Sequence, residues 1–187
     1  MQEIKNEKIP SGDAMAEAGI VPQTVTYSDL IAKFIVLFAV AVCAPIFGSQ
    51  YITGTLVNAT LFLAVVLIGV RGAVLIGVIP SLVSLSTGLI ALAIAPMILF
   101  VIFSNALLIV VFVSLKNKSY WGGIISASIL KFAFLSVISS FVIGNFVSAQ
   151  IASNLALMMS YPQLFTALSG GILAFVVLGV IKKTEKE

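Results

Sequence analysis

The chain has 187 residues, of which 60% are hydrophobic and 9% are charged, and its mean hydropathy is +1.21. Soluble domains carry about 25% charged residues, and ten Lys and Arg with seven Asp and Glu are too few to cover a water-soluble domain of this length. Most of the surface of the protein must therefore lie in lipid.

The residue types that are missing exclude several kinds of chemistry. No Asp or Glu occurs between residues 30 and 184, and the chain has no His and a single Cys. Catalytic triads, Cys–His pairs and paired carboxylates cannot be built there, and Cys43 alone cannot hold zinc or an iron–sulfur cluster. No nucleotide-binding phosphate loop occurs either. We expect no enzyme activity, no catalytic residue, no cofactor, no metal and no nucleic-acid partner.

The chain begins with a polar segment and then becomes continuously apolar. Residues 1–28 mix charges with Pro and Gly, and we expect a flexible cytoplasmic tail there, with a second short cytoplasmic tail at residues 184–187. About 20 apolar residues cross a hydrocarbon core of about 30 Å. Turn residues and charges divide residues 29–183 into six apolar spans that are long enough, or nearly so, to cross the membrane. They lie at residues 30–47, 52–70, 73–86, 89–115, 120–147 and 162–181. Pro80 is expected to interrupt the third span.

The spans are expected to be helices that form one bundle. Backbone groups in lipid must be hydrogen-bonded within their own segment, and the apolar runs are continuous rather than alternating as in a barrel. With both termini in the cytoplasm, the loop bases Arg71, Lys116 and Lys118 fall on the cytoplasmic side, where short loops collect such residues. The sequence predicts an all-α integral membrane protein of about six transmembrane helices, multi-pass in the cell (plasma) membrane.

Two spans carry small residues at helical spacing. Small side chains let membrane helices approach closely. We expect these stripes to pack inside the bundle, with contact to a partner subunit as the alternative. The stripes are Ser136, Ser140, Gly144 and Ser148 in the fifth span, and Ala167 with Gly171 and Gly170 with Ala174 in the sixth.

Lys131 is the most unusual residue of the apolar region. It lies ten positions after Trp121, which places it about 15 Å inside the cytoplasmic boundary at about 1.5 Å per helical residue. A lysine at this depth is costly. Three explanations stay open: it snorkels to the cytoplasm, it is neutral and hydrogen-bonded to Ser128 or Asn105, or it pairs with a bound anionic substrate.

Other polar side chains cluster toward the predicted outer half of the bundle. An Asn or Gln in a membrane more often bonds two helices than binds a ligand, but the joint position of these residues near uncharged loops favours a pocket open to the outside. The candidate substrate-binding residues are Lys131, Asn105, Asn58, Gln163, Gln50 and Tyr51.

The apolar region contains five short runs with Pro, Gly, Asn or Thr: APIFG, VNAT, IPSL, APM and YPQL, at residues 44–48, 57–60, 79–82, 95–97 and 161–164. Together with the architecture, these runs resemble the S component of an energy-coupling factor (ECF) transporter. The resemblance covers residues 30–181 and implies a subunit that captures a vitamin-like micronutrient outside the cell. Such a subunit docks on a transmembrane coupling subunit driven by two ATPases.

The resemblance also implies a docking site in the first span, where family members carry Ala-x-x-x-Ala. Ala39 and Cys43 approximate this motif. The family members for cobalt or nickel use N-terminal His ligands, so neither metal is expected here. The alternative function is a structural or assembly membrane protein without a small-molecule site, which packs on a larger complex through the small-residue stripes.

Overall fold

The computed structural model describes residues 27–86, 95–146 and 149–184. Residues 1–26 of the tail expected at residues 1–28, the boundary between the third and fourth spans and residues 185–187 lie outside this part of the chain, and the last two residues of the expected tail belong to a helix. The described residues form α1 (Tyr27–Cys43), a 3₁₀ turn (Ala44–Phe47), α2 (Gln50–Leu67), α3 (Gly69–Ser86), α4 (Ala95–Leu115), α5 (Tyr120–Phe146), α6 (Ala149–Met158) and α7 (Tyr161–Thr184).

Five segments are long and apolar enough to cross a membrane: Tyr27–Phe47, Gln50–Leu67, Met97–Leu115, Tyr120–Asn145 and Leu155–Thr184. A shorter apolar helix, Gly69–Leu82, corresponds to the third predicted span. The prediction of an all-α, multi-pass membrane protein is therefore confirmed. The connection predicted at residues 148–161 contains a helix of its own, α6.

Helix α3 continues through Pro80, so the predicted interruption of the third span is wrong. A proline removes one backbone donor from a helix, and in membranes a neighbouring helix can satisfy the backbone groups that are freed. Here Asn105 of α4 donates a hydrogen bond of 3.1 Å to the carbonyl of Gly77, in the turn before Pro80. This contact joins α3 to α4 in the turn before Pro80, which is buried.

Helix α2 lies at the centre of the bundle, packed against α1, α3, α4 and α7. Its residues 58–65 are all buried. Helix α7 packs closely on α2, and Gly170 permits this. A Cβ added at Gly170 would lie 2.8 Å from both the Ala59 nitrogen and the Asn58 Cβ. The small residues of the sixth predicted span are buried, as expected for packing inside the bundle: Ala167, Gly170, Gly171 and Ala174.

Ser140 and Gly144 of the small-residue stripe of α5 do not pack inside the bundle, contrary to the expectation for that span, whereas Ser136 is partly buried. Ser140 and Gly144 are exposed, and a Cβ added at Gly144 would meet nothing within 4 Å. Ser148 lies outside the described residues. Helix α5 instead turns a different face inward, which carries the buried Leu135 and Val142. The stripe therefore points to lipid or to another protein.

The two ends of the bundle differ in charge. Successive long helices reverse direction, so the connections at residues 44–49 and 159–160 share one end, here named the mouth end. Gln50 Nε2 joins them by donating to the Met158 carbonyl at 2.6 Å. The opposite end, here named the basic end, carries the loop bases Arg71, Lys116 and Lys118, which agrees with their predicted grouping on one side.

Candidate functional site

A cavity of about 390 Å³ extends from the mouth end into the middle of the bundle. Each helix from α1 to α7 contributes at least one residue to its wall. Near the mouth the wall includes Gly48, Ser49 and Gln50, and at the inner end it includes Asn105 and Lys131. The cavity therefore joins the exposed connection at residues 48–50 to the buried lysine.

Lys131 points into the bundle and is only 3% exposed. Its Nζ donates hydrogen bonds of 2.7 Å to Asn58 Oδ1 and 2.7 Å to Asn105 Oδ1. The side chain therefore does not snorkel to the cytoplasmic interface, because its Nζ bonds amide oxygens of α2 and α4 inside the bundle. Of the two partners considered from the sequence, Asn105 contacts the lysine, whereas the Ser128 hydroxyl is buried without a hydrogen-bond partner.

The two asparagines are held with their oxygens toward Lys131. Asn105 Nδ2 donates to the Gly77 carbonyl at 3.1 Å, and Asn58 Nδ2 donates to Thr166 Oγ1 at 3.4 Å. A charged lysine is a donor only, so it requires acceptors, and the outward bonds of both amides leave their oxygens in that role. Helices α3 and α7 thus set the orientation of the groups that meet Lys131.

The positive charge of this site has no carboxylate near it. The sequence has no Asp or Glu between residues 30 and 184, and Asp29 at the start of α1 pairs with Lys33 at 2.8 Å. An ammonium group has three N–H donors, and Asn58 and Asn105 accept two of them. The third donor is available to a molecule in the cavity.

The polar groups at the mouth use their donors on the backbone. Gln50 Nε2 and Gln163 Nε2 both donate to the Met158 carbonyl, at 2.6 Å and 3.2 Å. The Thr53 hydroxyl donates to the Ala44 carbonyl at 3.0 Å. Each glutamine thus keeps its side-chain oxygen and one further N–H group, and these are the groups that the mouth offers to a ligand.

Five of the six candidate residues line this one cavity: Lys131, Asn105, Asn58, Gln163 and Gln50. Tyr51 does not, because its side chain is 58% exposed on the outside of α2. Thr166 was missed by the sequence reasoning, although it bonds Asn58. Its signal was the small-residue face of α7, since Thr166 precedes Gly170 by one helical turn on that face.

The two candidate docking residues lie away from the cavity wall. Ala39 and Cys43 are exposed on α1, beside the exposed Val36 and Val40. Few residues of this span are buried, so most of α1 faces outward. The structure thus places both residues on an outer face that another membrane protein can reach.

The polar part of the cavity consists of amides, hydroxyls and one lysine. Across residues 27–86, 95–146 and 149–184, no three His, Cys, Asp or Glu side chains come together as metal ligands do. The arrangement is suited to binding rather than to proton transfer between paired groups.

Comparisons of the chain with protein-family models, with curated proteins and with solved structures gave no match.

Proposed function

We propose that this chain is the substrate-binding membrane subunit of an ECF-type uptake transporter, and that its cavity takes up a small organic, vitamin-like micronutrient. The observation that carries the proposal is the convergence of Lys131, Asn58 and Asn105 on a cavity of about 390 Å³. Small-molecule sites have volumes of about 300–1,000 Å³, with mostly apolar walls and a few polar groups. The cavity has this character and a size suited to a small ligand.

The position of the mouth supports uptake from outside the cell. The mouth end is opposite the basic end, and short cytoplasmic loops collect Lys and Arg. With Arg71, Lys116 and Lys118 in the cytoplasm, the cavity opens outward and both termini are cytoplasmic. The cell (plasma) membrane is the location that this function requires.

ATP-driven transport needs partners, because the sequence has no phosphate loop of its own. We propose a transmembrane coupling subunit and two ATPases as those partners. The outward face of α1, with Ala39 and Cys43 exposed, is the proposed docking surface. Surrounding lipid covers the rest of the apolar exterior.

A binding assay on the full chain in lipid nanodiscs tests the proposal. A panel of vitamins is screened by thermal stabilisation and then by calorimetry, and at least one compound is expected to bind at micromolar concentration or below. Asn105→Leu, in the cavity wall, should weaken that binding at least tenfold. Asn145→Leu is the matched control, because Asn145 is exposed and bonds only the Phe141 carbonyl of its own helix.

No binding of any panel member at micromolar levels, by the chain alone or with its ATPase module, would contradict the proposal. If Asn105→Leu and Asn145→Leu change ligand binding equally, the cavity is not the binding site.

A structural or assembly role is the second candidate, and the exposed stripe of α5 favours it. Ser140 and Gly144 leave a shallow outer face on which another helix can pack closely. This role predicts that Gly144→Leu abolishes association with a larger complex while Lys131→Met is tolerated. If Lys131→Met abolishes uptake while the complex stays intact, the result supports the substrate-binding subunit over the assembly role.

A further inference from the structure

We infer that the substrate is a monocarboxylic acid with an uncharged, largely apolar body, bound with its carboxylate on Lys131 at the inner end of the cavity. The inference rests on the proposed function and names the chemical class of its substrate.

Lys131 has no anionic partner within the part of the protein that the structure describes. Its two protein partners are neutral amide oxygens, each at 2.7 Å, and the residues that surround it contain no carboxylate. Taking a charge out of water costs several kcal/mol even after the protein has relaxed. Amide oxygens supply hydrogen bonds but no opposite charge. A ligand carboxylate supplies both the acceptor for the third N–H and the missing negative charge.

The charge of the site indicates a carboxylate rather than a phosphate. A phosphate monoester carries about −1.5 to −2 charges at pH 7, so a single lysine would leave part of its negative charge without a partner. Lys131 is the only cation among the described lining residues, and the Asn58 and Asn105 amides, which each donate one N–H to Thr166 and to Gly77, are neutral. A group with one negative charge therefore matches what the site offers.

The rest of the wall explains the body of the ligand and its orientation. Val57, Ile76 and Val101 line the cavity and are suited to an apolar body. At the mouth, Gln50 and Gln163 each donate one N–H to the Met158 carbonyl and carry no charge. Because Lys131, the one cation among the described lining residues, lies at the inner end, the carboxylate points inward and an uncharged end of the ligand lies at the mouth.

Matched acids and amides test this inference on the full chain in nanodiscs. The probes are nicotinate with nicotinamide, lipoate with lipoamide, and 4-phenylbutyrate with 4-phenylbutyramide, since each amide keeps the body of its acid and lacks the charge. At least one acid is expected to bind ten times more tightly than its amide, a difference of about 1.4 kcal/mol. Lys131→Met should abolish the preference. Lys118→Met, at an exposed lysine of the basic end, should retain it.

Each other outcome counts against a defined part of the argument. Amides or other neutral vitamins that bind as tightly as the acids would overturn the inference and leave the proposed function standing. Chloride or phosphate that displaces the acids at equal concentration would overturn it as well, because the lysine would then take an inorganic anion. No binding by any acid, amide or vitamin would overturn both. If Lys131→Met does not fold, the acid–amide comparison on the unmodified chain decides, and Lys131→Arg should keep the preference.

Discussion

The contact between Lys131 and Asn105 can be measured directly by a double-mutant cycle. Asn105→Leu removes an acceptor 2.7 Å from Nζ and a donor 3.1 Å from the Gly77 carbonyl. A hydrogen bond to a charged group contributes about 1.5–3 kcal/mol, and a buried group left unpaired costs about 1–3 kcal/mol. Polar contacts measured inside membranes are weaker, about 0.6 kcal/mol on average and at most about 1.7 kcal/mol. We expect Asn105→Leu to lower the free energy of unfolding by about 3 kcal/mol.

The same substitution should cost less when the lysine is absent. In Lys131→Met the buried ammonium is gone, so Asn105→Leu then removes only the bond to Gly77. The two losses should differ by the coupling between Lys131 and Asn105. We expect this coupling to be about 1.5 kcal/mol, near the upper end of the membrane values because one partner is charged.

Unfolding by SDS in mixed micelles, followed by the helical circular dichroism signal, supplies the four free energies of the cycle. Asn145→Leu is the control and should change stability by no more than about 0.5 kcal/mol, since its side chain is exposed. Independent sites add within about 0.3–0.5 kcal/mol. Losses from Lys131→Met and Asn105→Leu that add within that margin would refute the contact.

Two further predictions concern packing and topology. Gly170→Ala should destabilise the chain by about 1–3 kcal/mol because its Cβ would lie 2.8 Å from backbone and Cβ atoms of α2, whereas Gly144→Ala should be neutral because that site is open. Equal melting temperatures for the two variants would argue against the α2–α7 contact. In a Cys43→Ser background, Ser49→Cys should react with a membrane-impermeant maleimide on intact cells, and Lys118→Cys only after permeabilisation. The reverse labelling pattern would invert the proposed orientation.

The helices were predictable because each apolar run ends at turn residues or charges. The fifth span was expected at residues 120–147 and α5 is Tyr120–Phe146, since the basic turn at residues 116–118 marks its start. The effect of Pro80 was not predictable in the same way. Whether a proline breaks a membrane helix depends on how neighbouring helices pack around it, and here α4 contacts α3 one turn before Pro80 through the Asn105–Gly77 bond, which joins residues 28 positions apart.

The site was predictable in its residue types but not in its contacts. Lys131 stood out because no carboxylate occurs in its region, and Asn58 and Asn105 stood out as amides in apolar spans. The bonds that join them connect residues 73 and 26 positions apart. Such bonds depend on the rotation of each helix about its axis, which sequence spacing does not determine. The prediction that Ser140 and Gly144 pack inside the bundle was wrong for the same reason. Residue spacing shows which side chains share a helix face but not whether that face points to the bundle or to lipid.

The hydrogen bonds of Lys131 separate the proposed binding site from the proposed docking face. The lysine on α5 bonds directly to α2 and α4, and the asparagine amides extend the network to Gly77 on α3 and Thr166 on α7. Helix α1 takes no part in this network, so a carboxylate on Lys131 would act on helices other than the one proposed to dock. The link between the two sites is the packing of α1 on α2 and α3, together with the Thr53 hydroxyl of α2, which donates to the Ala44 carbonyl just after α1. Under the proposed function, a change in α2 on substrate binding would reach the docking face through these contacts.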